Sequence, residues 1–361
     1  MVGFTMNEAG ASERESFASL LVGVRRCVDD RLASWLRPRV VAASQVSGEV
    51  GTAAEAVMDL TLRGGKRMRA ALVAAGYVAF AGEGDWAPCV PAMLAVELLQ
   101  TYLLIHDDWM DDDDVRRGGP AVHAMLRERT GSRELGDVTA ILAGDLASGY
   151  AQEALLEVDL APERVLRAAR AFARIQVEVV TGQLAEMHAA SGNAIAPPVE
   201  TIHALKTASY TVTGPLLVGA ALAGADEARC AELERFGCPL GVAFQLRDDM
   251  LGVFGDPSAT GKPVWNDIRR GKRTALVAEL RGDPRAATLL ARVHGRNDAA
   301  AEDIEAVVRA MEETGAKSRV EARVRELCDE ARGALAAVQG MSAMGRRWLE
   351  GAVSALGERS S

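Results

Sequence analysis

Apolar residues along this chain recur at three- and four-residue spacing. The pattern is plain in "VPAMLAVELLQTYLLIH", residues 90–106, and in "VLRAARAFARIQVEVVTGQLAEM", residues 165–187. That period places the apolar side chains on one face of a helix. Alternating apolar and polar runs bounded by turn residues, the mark of half-buried strands, are scarce. Aromatic residues are only 4% of the chain, which is low for a β-sandwich. The pattern predicts an all-α chain of about ten to fourteen helices packed as a single large bundle. Gly, Pro, Asn and Asp cluster at "AGEGDWAPC", "TGSRELG", "SGNAIAPP", "GDPSATGKP" and "HGRND", and these are the expected breaks. None is long enough for a domain linker, so residues 16–361 are expected to form one all-α domain. Residues 1–15, "MVGFTMNEAGASERE", are polar and contain glycine, and read as a flexible tail. A helical solenoid would need a fixed period, and none is visible.

Composition narrows the function. The 361 residues carry 49% hydrophobic residues and a net charge of −9, so a sizeable core is expected and general nucleic-acid binding is not. Five cysteines, Cys27, Cys89, Cys230, Cys238 and Cys328, lack CxxC spacing. They offer neither a zinc signal nor a disulfide framework, and they suit a reducing compartment. No secretory signal is visible, and no unbroken apolar run reaches the roughly eighteen residues of a membrane span. A cytoplasmic location without a transmembrane segment is the expectation.

The chemistry gathers at a few stations. In "LLIHDDWMDDDDVRRGGP", residues 103–120, an apolar segment runs into Asp107, Asp108 and Asp111 to Asp114, then Arg116 and Arg117. On a helix over 95–108, Asp107 and Asp111 share a face with Asp108 at its shoulder. Carboxylate oxygens suit a hard ion such as magnesium, and arginines contact phosphate oxygens directly. A metal-bridged polyphosphate would satisfy both sets, although an isolated acidic run is more often a solvated loop. The segment 244–274, "FQLRDDMLGVFGDPSATGKPVWNDIRRGKRT", repeats the grammar with Asp248 and Asp249, then Lys262, Asp267, Lys272 and Arg273. Routine turn chemistry explains Gly255 and Pro257 there, but not two aspartates inside an apolar helix. Facing each other across a bundle, the two stations would line a mouth with carboxylates. "RGGKRMRA", residues 63–70, adds Arg63, Lys66, Arg67 and Arg69 around two glycines, through which backbone amides can approach an anion. "LKTASY", residues 205–210, puts Lys206 and Thr207 inside an apolar helix. Each of these basic segments is weak evidence alone, because basic patches are usually solvated and a lysine can snorkel.

Taken in order, the stations resemble the trans-polyprenyl diphosphate synthase (polyprenyl synthetase) family. "GGKRMR" is similar to its GGKRxR motif and "DDWMDDDDVRRGGP" to its first aspartate-rich motif. "GQLAEM" resembles its GQ helix, "LKTASY" its KT motif, and "FQLRDD" with "GDPSATGKP" its second aspartate-rich region. The resemblance covers roughly residues 50–275. It implies an isoprenoid synthase fold, a helical bundle around a deep central pocket, commonly homodimeric. It implies head-to-tail condensation of isopentenyl diphosphate with an allylic diphosphate, which can be dimethylallyl, geranyl or farnesyl diphosphate. Asp107, Asp108, Asp111, Asp248 and Asp249 would then hold three magnesium ions. Arg116, Lys206 and Lys262 would reach the allylic diphosphate. Gly65, Lys66, Arg69, Gln100 and Arg117 would hold isopentenyl diphosphate. The carbonyl and hydroxyl dipoles near Lys206, Thr207 and Gln245 would ease the charge of an allylic cation, and Gln245 and Asp267 would extend the metal and water network. His106, His123, His188 and His203 are then structural or solvent-facing.

The sequence departs from the family pattern twice. Gly252 stands where the second motif usually carries a third acid, and Glu186 stands where aspartate often follows the GQ pair. Were both damaging, the chain would be a non-catalytic partner subunit. A terpene cyclase would not need the GGKRMR segment, and a metal phosphohydrolase would need histidine ligands beside the aspartates. Chain length is expected to depend on Tyr102, with Leu103 beside it. One aromatic residue there, and only Trp109 and Met110 between the acidic positions, resemble geranylgeranyl diphosphate synthases, with farnesyl diphosphate synthases close behind.

Overall fold

The computed structural model describes residues 16–82, 84–190, 196–255 and 265–358. The expected tail, residues 1–15, and Lys262 lie outside the described residues. The fold is all-α, and the chain divides into two compact units. One comprises Met1–Ala169, Val218–Ala225 and Ser342–Gly345; the other comprises Arg170–Leu217, Asp226–Met341 and Arg346–Ser361.

The first unit opens with α1 (Phe17–Val46), α2 (Gly48–Leu62) and α3 (Met68–Ala81). Ser16 caps α1 by accepting from the Ser19 amide, satisfying a donor the helix itself cannot. Phe17, Leu20, Val24, Val28, Leu32 and Leu36 recur every three or four residues and form its buried face. The next helix, α4 (Val90–Asp111), extends beyond the expected 95–108 at both ends. By length and composition the segment Ala87–Asp111 is apolar enough to cross a membrane, which a search for unbroken apolar runs passes over. Most of that apolar surface is buried here, and α4 packs along α6 (Arg133–Leu156). The helix stops at Asp112, whose left-handed backbone (φ 51°) turns its amide onto the carbonyls of Asp108 and Trp109.

A minimal hairpin follows. Strand β1 (Val115–Arg116) pairs antiparallel with β2 (Gly119–Pro120), with Val115 opposite Pro120 and Arg116 opposite Gly119. Arg117 (φ 52°) and Gly118 (φ 74°) form its tip, the paired positive φ values that suit strand twist in a two-residue loop. α5 (Val122–Thr130) then packs on α6. α7 (Pro162–Ala190) and α9 (Gly214–Ala223) contribute residues to both units.

The second unit holds α8 (Val199–His203), a π-helix over Ala204–Thr213, and the long α10 (Glu227–Phe254). Asp226 caps α10 by accepting from the Arg229 amide. α10 packs against both the π-helix and α15 (Ala316–Ala337), burying Phe236, Leu240 and Leu246. α11 (Asn266–Arg269), α12 (Ala275–Leu280), α13 (Pro284–Val293) and α14 (Ala301–Glu313) complete this part, and α16 (Ala343–Val353) ends in a π-turn over Ser354–Glu358. Sixteen α-helices therefore occur among the described residues, rather than about ten to fourteen. The excess is α8, α11 and α12, each six residues or shorter. Such pieces are too brief to display a hydrophobic period.

Candidate active site

The first acidic station forms where α4 ends. Asp107 and Asp111 are half-buried, one turn apart, and Asp108 is fully buried. Arg116 of the hairpin meets Asp108: its Nε donates to Oδ1 at 2.7 Å, and its Nη2 donates to the same oxygen. The other oxygen of Asp108 is buried without a hydrogen-bond partner. Burial raises the Asp108 pKa above the ordinary carboxylate value, and the Arg116 guanidinium pulls against that shift. Arg63 braces the hairpin. Its Nη1 donates to the carbonyl of Pro120 at 2.6 Å and that of Arg116 at 3.3 Å, while its Nε holds Asp59 at 2.9 Å.

The glycine-rich segment connects α2 to α3. Gly64 (φ 84°) and Gly65 (φ 138°) take backbone conformations that side chains rarely adopt. Arg117 Nη1 donates to the Gly64 carbonyl at 2.8 Å, so two members of the expected isopentenyl diphosphate set, Gly65 and Arg117, come together. Burial and the neighbouring Arg67 lower the Arg117 pKa, leaving it a cation short of counter-charge. Lys66 is exposed and Arg69 half-buried. Arg67 has a different task. Its side chain is buried and donates to Asp29 at 2.8 Å, Glu97 at 3.0 Å and the Thr61 carbonyl at 2.8 Å, pinning the loop to α1, α4 and α2. Gln100 is half-buried on α4. Tyr102 is 9% exposed, with its ring edge-on to His106 at 4.7 Å between centroids. Leu103 beside it is half-buried.

The second acidic station is on α10. Asp248 is exposed and Asp249 buried. A chain of hydrogen bonds links the KT residues to it. Thr207 Oγ1 donates to Gln245 Oε1 at 2.8 Å, and Gln245 Nε2 donates to Asp249 Oδ1 at 2.7 Å. Lys206 Nζ forms an ion pair with Glu186. Asp267 carries Lys272 Nζ at 3.6 Å from its Oδ1. Its Oδ2 lies 3.4 Å from where a Cβ at Gly252 would begin, so this acid approaches the position the sequence leaves without one.

The π-helix that presents Lys206 and Thr207 is held by two close approaches. A methyl group at Gly182 would overlap the Lys206 backbone, and one at Gly241 would overlap Ala208. A π-turn is rare and frequently marks a functional site.

His203, expected to be structural or solvent-facing, is buried beside the second station. Its Nε2 stands 3.4 Å from Asp249 Oδ2. Burial pushes the imidazole pKa down to about 4, so it is neutral at neutral pH and gives Asp249 no positive partner. Its only signal in the sequence was its place three residues before Lys206, which a core histidine would share. Asp249 itself is raised well above the usual carboxylate range by burial, then by Asp267. Its Oδ2 has no hydrogen-bond donor.

Buried, orphaned carboxylate oxygens at both stations fit a divalent cation. Hard oxygen donors suit magnesium, and a bound cation would offset the desolvation that raises the pKa of such carboxyls. Arg116 bonds Asp108 and Gln245 bonds Asp249 directly, and Thr207 reaches Asp249 through Gln245.

Comparison with known proteins agrees. The polyprenyl synthetase family model matches residues 52–311. The geranylgeranyl diphosphate synthase of Sulfolobus acidocaldarius is 35% identical over 238 residues, which are 65% of this chain and 68% of that protein. The (2E,6E)-farnesyl diphosphate synthase of Mycobacterium tuberculosis is 35% identical over 259 residues, 72% of this chain and 67% of that protein. A crystal structure of geranylgeranyl pyrophosphate synthase from Corynebacterium glutamicum, complexed with isoprenyl diphosphate and magnesium, superposes with a TM-score of 0.85. It is 32% identical and covers 93% of this chain and 99% of that one. With its family motifs, all-α fold and two carboxylate stations, the chain belongs to the polyprenyl synthetase family and is a trans-prenyltransferase.

Proposed function

We propose that this enzyme condenses isopentenyl diphosphate with an allylic diphosphate, releases diphosphate, and makes geranylgeranyl diphosphate. The observation that carries the catalytic reading is the pair of stations in which buried Asp108 and Asp249 each keep one oxygen without a donor. Asp107, Asp108, Asp111, Asp248 and Asp249 would hold magnesium, three ions by family resemblance. When bound, magnesium supplies positive charge for the departing diphosphate. Arg116, Lys206 and Lys262 contact the allylic diphosphate; Lys262 lies outside the described residues. Gly65, Lys66, Arg69, Gln100 and Arg117 hold isopentenyl diphosphate. The allylic cation that forms is eased by the oxygen dipoles of Thr207 and Gln245, which are held in place by their mutual bond and by Asp249. The double bond of isopentenyl diphosphate attacks C1 of that cation. A proton then leaves the adjacent carbon, taken up by the released diphosphate. No protein nucleophile is needed.

Residues 16–361 act as one catalytic domain in this reading. A homodimer is supported by the apolar residues Leu135, Val138 and Leu142, which α6 leaves 49–60% exposed. Five cysteines, none of them in a disulfide among the described residues, support a reducing, cytoplasmic location.

Product length rests on Tyr102. Five residues before Asp107, it stands about 7–8 Å back along α4, where its ring can floor the pocket for the growing chain. The farnesyl diphosphate synthase of similar identity favours a fifteen-carbon product as the second reading. The test is to incubate the enzyme with radiolabelled isopentenyl diphosphate and each allylic primer, and to separate the products by chromatography. Geranylgeranyl diphosphate is expected from the parent and longer chains from Tyr102→Ala. An unchanged product from that variant removes the basis of the length assignment.

A further inference from the structure

We propose that Asp112, Asp114 and His123 form a second metal site, separate from the catalytic carboxylates, that takes a zinc-class divalent ion. The three residues bring one ligand atom each to within 4.8 Å of one another. His123 is fully buried, yet neither of its ring nitrogens has a hydrogen-bond partner. A buried imidazole left unpaired is costly, and native structures avoid it unless something else binds there. Its Nε2 points at two carboxylate oxygens, 3.6 Å from Asp114 Oδ1 and 3.9 Å from Asp112 Oδ1.

These separations are too long for hydrogen bonds. They are close to those of ligands sharing one ion. Zinc binds imidazole nitrogen and carboxylate oxygen at about 2.0–2.2 Å, so two tetrahedral ligands lie roughly 3.4 Å apart. The imidazole-to-carboxylate separations exceed that spacing by only a few tenths of an ångström, and the two carboxylate oxygens, within 4.8 Å of one another, would draw together around the ion. Asp112 and Asp114 are exposed, so water can complete the coordination. An imidazole ligand selects zinc or a similar transition ion over magnesium, which prefers an all-oxygen shell.

The surroundings separate this cluster from the catalytic station. Asp112 leaves the α4 helix in a left-handed conformation. Its Oδ1 accepts from Arg127 of α5 at 2.8 Å and from Arg133 of α6 at 3.2 Å, whereas Asp108 is committed to Arg116. Arg127 Nη1 also lies 4.0 Å from Asp114 Oδ1, and its Nε donates to Asp137 at 2.6 Å. These arginines orient Asp112 and offset part of its charge, and burial together with the nearby Arg127 disfavours the protonated imidazole, leaving it in the neutral form that binds metal. A bound ion would clip the turn after α4 to α5, and so hold the base of the hairpin that carries Arg116 and Arg117.

The full-length chain, stripped of metal, is dialysed to equilibrium against zinc chloride with magnesium in millimolar excess. The parent is expected to retain one zinc that Asp114→Asn and His123→Ala each bind at least about tenfold more weakly. Asp114 is exposed, so its variant reports even if loss of His123 disturbs folding. X-ray absorption at the zinc edge should show imidazole scattering in the parent. Zinc stoichiometry and affinity that are the same in the parent and Asp114→Asn overturn the proposal, as does a parent that retains no zinc.

Discussion

Asp108 and Asp249 are buried carboxylates, and their less buried neighbours Asp107 and Asp248 are the better probes of what they hold. Removing a buried charge disturbs folding as well as chemistry. Asp107 is half-buried and Asp248 exposed, so alanine at either should leave the helix intact while removing a metal ligand. Each substitution is expected to slow turnover by about 10² to 10⁵-fold, the range for loss of a charge-stabilising group. Steady-state rates beside thermal melts check this; an unchanged rate in either variant refutes the assignment of that carboxylate. Lys66 and Arg69 permit a test of substrate partition. Lys66→Ala and Arg69→Ala should raise the KM for isopentenyl diphosphate more than that for the allylic partner. Equal rises would mean that the GGKRMR segment does not serve a separate subsite. At this scale the sequence disclosed residue types better than residue tasks. Lys66, Arg67 and Arg69 read alike as basic, and only tertiary contacts reveal that Arg67 is a buried strut. His203 was likewise indistinguishable from a packed core histidine until Asp249 was found beside it.

At the scale of elements, α4 and α10 were legible because an apolar period of three and four runs directly into the aspartates. The π-helix over Ala204–Thr213 was not. A widened turn keeps nearly the same apolar spacing over ten residues, and its cause is tertiary: glycine on each of two neighbours. Gly241→Val should therefore act on the π-helix first. The added side chain overlaps Ala208, and overpacking of this kind costs about 1–3 kcal/mol. The expected result is a lowered Tm together with a fall in kcat larger than that of a control substitution of equal Tm cost away from the π-helix. Matching kcat losses in the two would show that the close packing serves stability alone. The hairpin escaped the sequence reading for another reason. Strands of two residues carry no alternation, and its signal was the Arg117–Gly118 turn within "RRGG".

For the molecule as a whole, charge order along the chain was the strongest message. Five stations in sequence pointed to carboxylates that need a cation and to cations that need a phosphate, and the fold supplies both acidic stations with buried, undersatisfied oxygens. Composition alone did not separate α4 from a membrane span; its burial against α6 and its acidic end do. The direct test of this account is the rate of isopentenyl diphosphate incorporation into farnesyl diphosphate, measured with magnesium and again in excess chelator. The aspartates cannot hold an anionic diphosphate without a bridging cation, so incorporation should be rapid with magnesium, cease in chelator, and return when magnesium or manganese is restored. Undiminished incorporation in excess chelator would contradict the account.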